Sequence, residues 1–262
     1  MVDARAEQDG SPVPAETLAE AGLRLDVAGP VATITLDRPD KRNAMTFAMW
    51  RTLARIGETL PGSVRVVVVR GAGKAFSAGI DLGMFNQGPS GEDPQEADRF
   101  IAELQAGYLW LRRPEIVSIA AVHGYAIGGG FQLALACDLR VMTDDAWYCM
   151  KEPTLGLVPD LTGTKPLVDI VGPNRAMDIC LTARKVPAAE AERLGLAERV
   201  VPAAELDTAV DELVSALLAV NAEAAVATKR LLRQAPSNTL EEQCAAERRE
   251  QLARLRALSA SS

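Results

Sequence analysis

Residues 64–70 form an almost unbroken β-branched run, Val64-Arg65-Val66-Val67-Val68-Val69-Arg70. A strand with one wet face alternates apolar and polar residues, so this run demands cover on both faces. Residues 116–122 read the same way. Such strands belong to layered folds in which helices flank the sheet, and the rest of the pattern agrees. Residues 23–27 and 31–36 flank Ala28-Gly29-Pro30 as a hairpin, and Thr46 is placed to cap a helix that Pro61-Gly62 stops. Helices are expected over 93–111 and 129–136, and strands over 139–142 and 147–150. From Lys165 onward the pattern is nearly all helical, with helices over 187–194, 206–220, 222–233 and 240–258. The fold class is α/β. Residues 1–20, rich in Ala, Glu, Asp and Pro and without an apolar segment, read as a mobile tail rather than a secretory signal.

Charge and residue counts exclude several functions. The chain has 262 residues, a formal charge of −7 and a pI near 5.0, so it lacks the basic field that nucleic acid or an anionic membrane requires. No apolar run approaches the roughly 20 residues of a membrane span. The four cysteines contain no Cys-x-x-Cys pair, which favours a reduced, cytoplasmic setting and speaks against zinc. His123 is the single histidine, so a Ser-His-Asp nucleophile or a multi-histidine metal site would depend on it alone. It ends an apolar strand, where a packed or hydrogen-bonded structural role is expected.

The chemistry concentrates between Gly124 and Asp160. Gly128-Gly129-Gly130 opens an apolar helix, and Glu152 and Asp160 follow in a loop with little other charge. Helix-start N–H groups can hold an oxygen that gains negative charge, and nearby carboxylates can move protons. Position 132, where a further acid would be useful, holds a glutamine. A second turn, Ala75-Phe76-Ser77-Ala78-Gly79-Ile80-Asp81-Leu82, has a backbone able to supply another N–H. Gly71-Ala72-Gly73-Lys74 fails as a phosphate loop, because Val68 and Ala75 stand where glycine and Ser/Thr are needed. Asp138 reads as a turn or ion-pair residue, and Asp81 as a shaper of its own loop.

Several segments in order now carry a resemblance. Asp37-Arg38-Pro39-Asp40-Lys41-Arg42-Asn43-Ala44-Met45, Phe76-Ser77-Ala78-Gly79-Ile80-Asp81-Leu82, Ala121-Val122-His123-Gly124-Tyr125-Ala126-Ile127-Gly128-Gly129-Gly130, Ala136-Cys137-Asp138, Gly156-Leu157-Val158-Pro159 and Leu181-Thr182-Ala183 together resemble the enoyl-CoA hydratase/isomerase (crotonase) superfamily over roughly residues 22–235. The resemblance implies a crotonase-like spiral of β-β-α units over residues 21–200. It also implies that the helical C-terminal region, 201–262, forms trimers or dimers of trimers. The implied substrate is an acyl-CoA thioester whose carbonyl oxygen lies between the N–H groups of Ile80 and Gly129. Coenzyme A enters as part of that substrate, with no metal or other cofactor, and Lys41 and Ala78 fall near its nucleotide part.

The family's hydratases use two glutamates, and these positions hold Gln132 and Glu152 here. Glutamine can orient water or contact substrate but does not titrate. Asp160, the Lys151-Glu152 pair and Ile80-Asp81-Leu82 are similar to the dienoyl-CoA isomerases, which however place an aspartate at the position of Gln132. The leading expectation is therefore double-bond migration in an unsaturated acyl-CoA, with Glu152 and Asp160 as acid–base residues. A hydratase using mainly Glu152, with Gln132 orienting the water, is one rival; a non-catalytic acyl-CoA binder is another. Asp160 has a bland alternative as a helix cap or turn residue. Pocket width is expected to depend on residues such as Met84, Phe85, Tyr108, Trp110 and Trp147.

Overall fold

The structure, a computed structural model, describes residues 12–84, 87–89 and 91–260. In chain order the elements are α1 (Ala15–Glu20), β1 (Leu23–Ala28), β2 (Val31–Leu36), α2 (Phe47–Thr59), β3 (Val66–Gly71), α3 (Pro94–Leu109), β4 (Val117–Val122), β5 (Tyr125–Ile127), α4 (Gly129–Ala136), β6 (Leu139–Thr143) and β7 (Trp147–Cys149). They continue as α5 (Thr164–Val171), α6 (Pro173–Thr182), β8 (Val186–Pro187), α7 (Ala188–Leu194), β9 (Arg199–Val201), α8 (Leu206–Ala219), α9 (Ala222–Gln234) and α10 (Leu240–Ala260).

The valine run behaves as its composition requires. Val67 and Val69 enter one apolar cluster, and Val66 and Val68 enter a second on the opposite face of the sheet. In β4, Ala120 and Val122 join the first cluster while Ile119 and Ala121 join the second. The first cluster is covered by helices including α2, α3 and α4; the second is covered by α8 through Leu206, Ala209 and Val210. The six-stranded sheet runs β1-β2-β3-β4-β6-β9, antiparallel at β1–β2 and parallel elsewhere, and a smaller sheet runs β5-β7-β8.

The two sheets advance together. β4 lies in the large sheet, β5 in the small one, and α4 follows; β6 and β7 repeat this before α5. Ser77, bridged to Ala126, extends the small sheet by one further row after β3. Each turn of the chain thus places a strand in each sheet and then a helix, which is the expected β-β-α spiral. Helix starts follow their caps: Thr46 Oγ1 accepts from Met49 N at 3.2 Å, and Asp93 Oδ1 from Gln95 N at 2.9 Å. Every residue of α4 is buried, which explains its lack of a polar face.

Two expectations change. Of the segment 1–20, residues 1–11 lie outside the described residues, but Ala15–Glu20 is a helix with Val13 and Leu18 in the core. Two apolar anchors were enough to dock it. Tyr125–Ile127, which the sequence pattern left unassigned, is a strand. The nearly all-helical stretch after Lys165 also contains the short strands β8 and β9. Strands of two or three residues carry no readable alternation, and their sheet partners alone define them.

Candidate active site

Two backbone segments meet at the junction of the sheets. Gly79 has φ +84°, and a side chain there would lie 2.6 Å from Ile127 O; the same point is 3.6 Å from Gly129 N. Only glycine brings this turn so close to the start of α4. Met45 N donates to Gly79 O at 2.7 Å, and Met45 O accepts from Asp81 N at 2.8 Å. A parallel bridge of this kind uses the neighbours of Ile80 and turns the N–H of Ile80 itself the other way. Gly129 is the first residue of α4, so its N–H has no partner within the helix. Among the described residues, neither N–H is committed to another acceptor. Tyr108 supports this corner: its hydroxyl donates to Gly129 O at 2.8 Å and accepts from Trp50 Nε1 at 2.9 Å.

Asn43 is the hub of the approach arm, and the sequence reading had it only within a motif. It is fully buried at φ +55°, and Nδ2 donates to Ala72 O at 2.8 Å and Ala75 O at 2.7 Å. Ser77 Oγ donates to Asn43 O at 2.8 Å. Asp81 shapes its loop as expected, pairing with Arg38 at 2.8 Å and accepting from Gly83 N at 3.1 Å. The Arg38 guanidinium beside it holds the Asp81 carboxyl below its usual range.

Glu152 sits under the glycine triplet, on a 3-10 turn, with 8% of its surface exposed. A side chain at Gly128, where φ is +50°, would stand 3.0 Å from Glu152 Oε1, so the backbone lies directly against the carboxyl group. Glu152 Oε1 accepts from Gln132 Nε2 at 2.6 Å, while Oε2 is buried with no partner among the described residues. Gln132 is fully buried, and its Oε1 accepts from Leu161 N at 2.9 Å and Gly163 N at 3.2 Å. It therefore stands behind Glu152 rather than in the wall of the cavity, unlike the expected substrate contact. Asp160 is half-buried, its carbonyl held by Gln105 Nε2 at 2.6 Å. It caps no helix, since α5 starts after Gly163. Burial raises the pKa of Glu152, with the nearby Asp160 charge adding to the rise, and burial likewise raises that of Asp160.

A cavity of about 570 Å³ gathers most of the expected residues. Ala78, Ile80, Gly129, Glu152 and Asp160 all line it, together with apolar side chains of α2 and α3 such as Trp50, Phe100 and Leu104. Trp147 lines it too; Tyr108 lies just beneath, and Trp110 packs instead against Gly57. Phe85 lies outside the described residues. Lys41 is exposed on the turn Pro39–Lys41 and does not reach this cavity. His123 is structural, bonding Gly73 O through Nε2 at 3.0 Å, and Asp138 is an ion-pair residue. A larger depression of about 1140 Å³ lies by β1, β2 and the start of α8. Four of its charged side chains pair, Arg24 with Asp37 and Arg70 with Asp207, each at 2.7 Å, and its remaining acid, Asp26, is exposed, unlike the buried Glu152.

Known proteins share this architecture. The enoyl-CoA hydratase/isomerase family model matches residues 26–257. A Thermobifida fusca YX protein carrying an enoyl-CoA hydratase name, solved in complex with CoA, is 60% identical with a TM-score of 0.92, covering 95% of this chain and 98% of that one. The Mycobacterium bovis protein named probable enoyl-CoA hydratase echA8 is 35% identical over 84% of each chain. The Rattus norvegicus mitochondrial delta(3,5)-delta(2,4)-dienoyl-CoA isomerase is 38% identical over 66% of this chain and 56% of its own length. The chain belongs to the enoyl-CoA hydratase/isomerase family and is an acyl-CoA enzyme of that family.

Proposed function

We propose that this enzyme shifts double bonds in an unsaturated acyl-CoA. One observation carries the reading: a buried glutamate with an oxygen unpartnered among the described residues and a second, half-buried acid line one cavity, while position 132 holds an amide that cannot titrate. Glu152, as carboxylate, takes a proton from a carbon activated by the thioester. The electron pair moves onto the carbonyl oxygen, which the Ile80 and Gly129 N–H groups receive. Asp160, whose pKa burial raises, returns a proton at a different carbon, and the enolate electrons re-form the carbonyl as the double bond moves. Coenzyme A enters as part of the substrate, as the solved Thermobifida fusca complexes with CoA and acetoacetyl-CoA suggest. Lys41 and Ala78 are assigned to its nucleotide end, and no metal or redox group is required.

Hydration is the second reading, favoured by the hydratase names among the relatives. Incubation with saturated, enoyl and dienoyl CoA esters separates the two. Isomerisation changes absorbance at constant mass; a product heavier by one water overturns it in favour of hydration. The setting proposed is cytoplasmic and the assembly a trimer or a dimer of trimers. α10 buries only Ala246 and leaves Leu240, Leu252, Leu255 and Leu258 exposed at 82%, 54%, 49% and 56%. Light scattering that shows a stable monomer at micromolar concentration overturns the assembly.

A further inference from the structure

Gln132 makes three hydrogen bonds yet has no surface in the cavity. We infer that it is a positioning residue whose single amide group sets both carboxylates, Nε2 holding Glu152 Oε1 so that Oε2 is left to take the proton, and Oε1 gathering the turn that carries Asp160. The inference rests on Glu152 and Asp160 being the acid–base pair proposed above.

The amide orientation follows from its surroundings. Two backbone N–H groups, of Leu161 and Gly163, converge on one atom, so that atom is the oxygen. The amide nitrogen is thereby turned toward Glu152, where a 2.6 Å contact fits a donor facing a carboxylate. Both lone pairs of the amide oxygen are spent, which leaves no acceptor to hold a reacting water.

The turn shows the same control. Thr162 lies between the two bonded N–H groups at φ +68°, an unfavourable conformation for a β-branched residue, and its buried Oγ1 has no partner among the described residues. Strain of this kind persists only where the surroundings over-determine the backbone. Gly163 permits the grip, since a side chain there would meet Gln132 Cγ at 2.6 Å. Gln105 pins the other end at Asp160 O. Glu152 Oε1 is tied down, and Oε2 is left as the oxygen that takes the proton.

The groups facing Glu152 from neighbouring elements are Asp160, Tyr108 on α3, Cys149 on β7 and Cys180 on α6, with Lys151 beside it and Lys185 along the cavity. Of its neighbours, Gln132 donates the side-chain bond that favours the charged form. The test is exchange of the acidic carbon-bound protons of an acyl-CoA in deuterium oxide, followed by mass from about pH 5 to pH 9. Acyl-CoA Kd is measured alongside. Gln132→Met should slow exchange about 10- to 100-fold, leave Kd within about twofold, and move the acid limb of the profile to higher pH. Gln132→Glu keeps an acceptor for the two N–H groups but sets a second acid on Glu152, so its limb should move further up as the pair shares a proton. If the Met variant does not fold, the limb shift in the Glu variant decides alone. An unmoved limb in a folded variant, or Kd rising in step with the loss of rate, overturns the inference. Glu152→Gln separates the levels: retained exchange defeats the acid–base reading itself, whereas lost exchange beside an unmoved Gln132 limb defeats only the positioning role.

Discussion

Two carboxylates largely shielded from solvent, Asp138 and Glu152, are built on opposite principles. Asp138 follows α4 and is saturated: Oδ2 accepts from Ser118 N at 2.8 Å, Ser118 Oγ at 3.1 Å and Lys229 Nζ at 2.6 Å, and Oδ1 from Arg233. Lys229 also donates to Ile116 O at 2.6 Å and Arg113 O at 2.8 Å. This knot fastens α9 to the edge of β4. Glu152 has one side-chain donor on one oxygen and, among the described residues, none on the other. A carboxylate whose acceptor sites are all filled has no capacity left for a proton or a substrate. One held by a single oxygen keeps that capacity, at the cost of a charge that its surroundings resist. The difference separates a fastening from a tool.

Substitution at each site should break a different property. Glu152→Gln should lower turnover about 100- to 10,000-fold, and Asp160→Asn by a similar order, with acyl-CoA binding nearly intact in both. Steady-state rates with parallel titration of the ester check this. If Asp160→Asn is fully active while Glu152→Gln is dead, double-bond migration by two acids fails. Asp138→Asn should do the reverse, lowering stability by about 3 kcal/mol because it strands the buried Lys229 ammonium. The protein that remains folded should keep its turnover per site. Denaturant unfolding measures it, and a loss below about 1 kcal/mol would show the knot to be slack. The smallest effect sharpens the contrast. The raised pKa of Glu152 means that its stabilising contribution is present below the ordinary carboxyl range and lost as pH rises through the folded-state value. Glu152→Gln should therefore be more stable than the parent above that value, by about 1 kcal/mol, and no more stable at acid pH. Thermal unfolding at both pH values checks the sign.

Elements with local signals were legible in the sequence. The valine run, the Thr46 and Asp93 starts and the glycine opening of α4 each announce themselves within a few residues. The family motifs also gathered Ala78, Ile80, Gly129, Glu152 and Asp160 around one cavity, because each is tied to a turn or helix start of fixed geometry. What stayed hidden depends on distant partners. Gln132 meets backbone 29 and 31 residues away, and Asp138 meets cations 91 and 95 residues away. Neither spacing leaves a periodic trace. Asn43 is similar, since its work depends on carbonyls of the segment after β3. The Asp160 cap reading failed because Gly163, not Asp160, precedes the helix.

Because Met45 engages the main chain on either side of Ile80, the N–H left over at 80 is a property of the backbone path and not of isoleucine. Replacing that side chain with anything but proline keeps the donor in place. The acids are the part that substitution can change: Glu and Gln codons differ by a single nucleotide, so one base change takes the group at 132 or 152 between titrating and inert. A lineage can alter what it does to a thioester without relearning how to grasp one. The relatives that this chain resembles bear hydratase, dienoyl isomerase and carnitinyl dehydratase names.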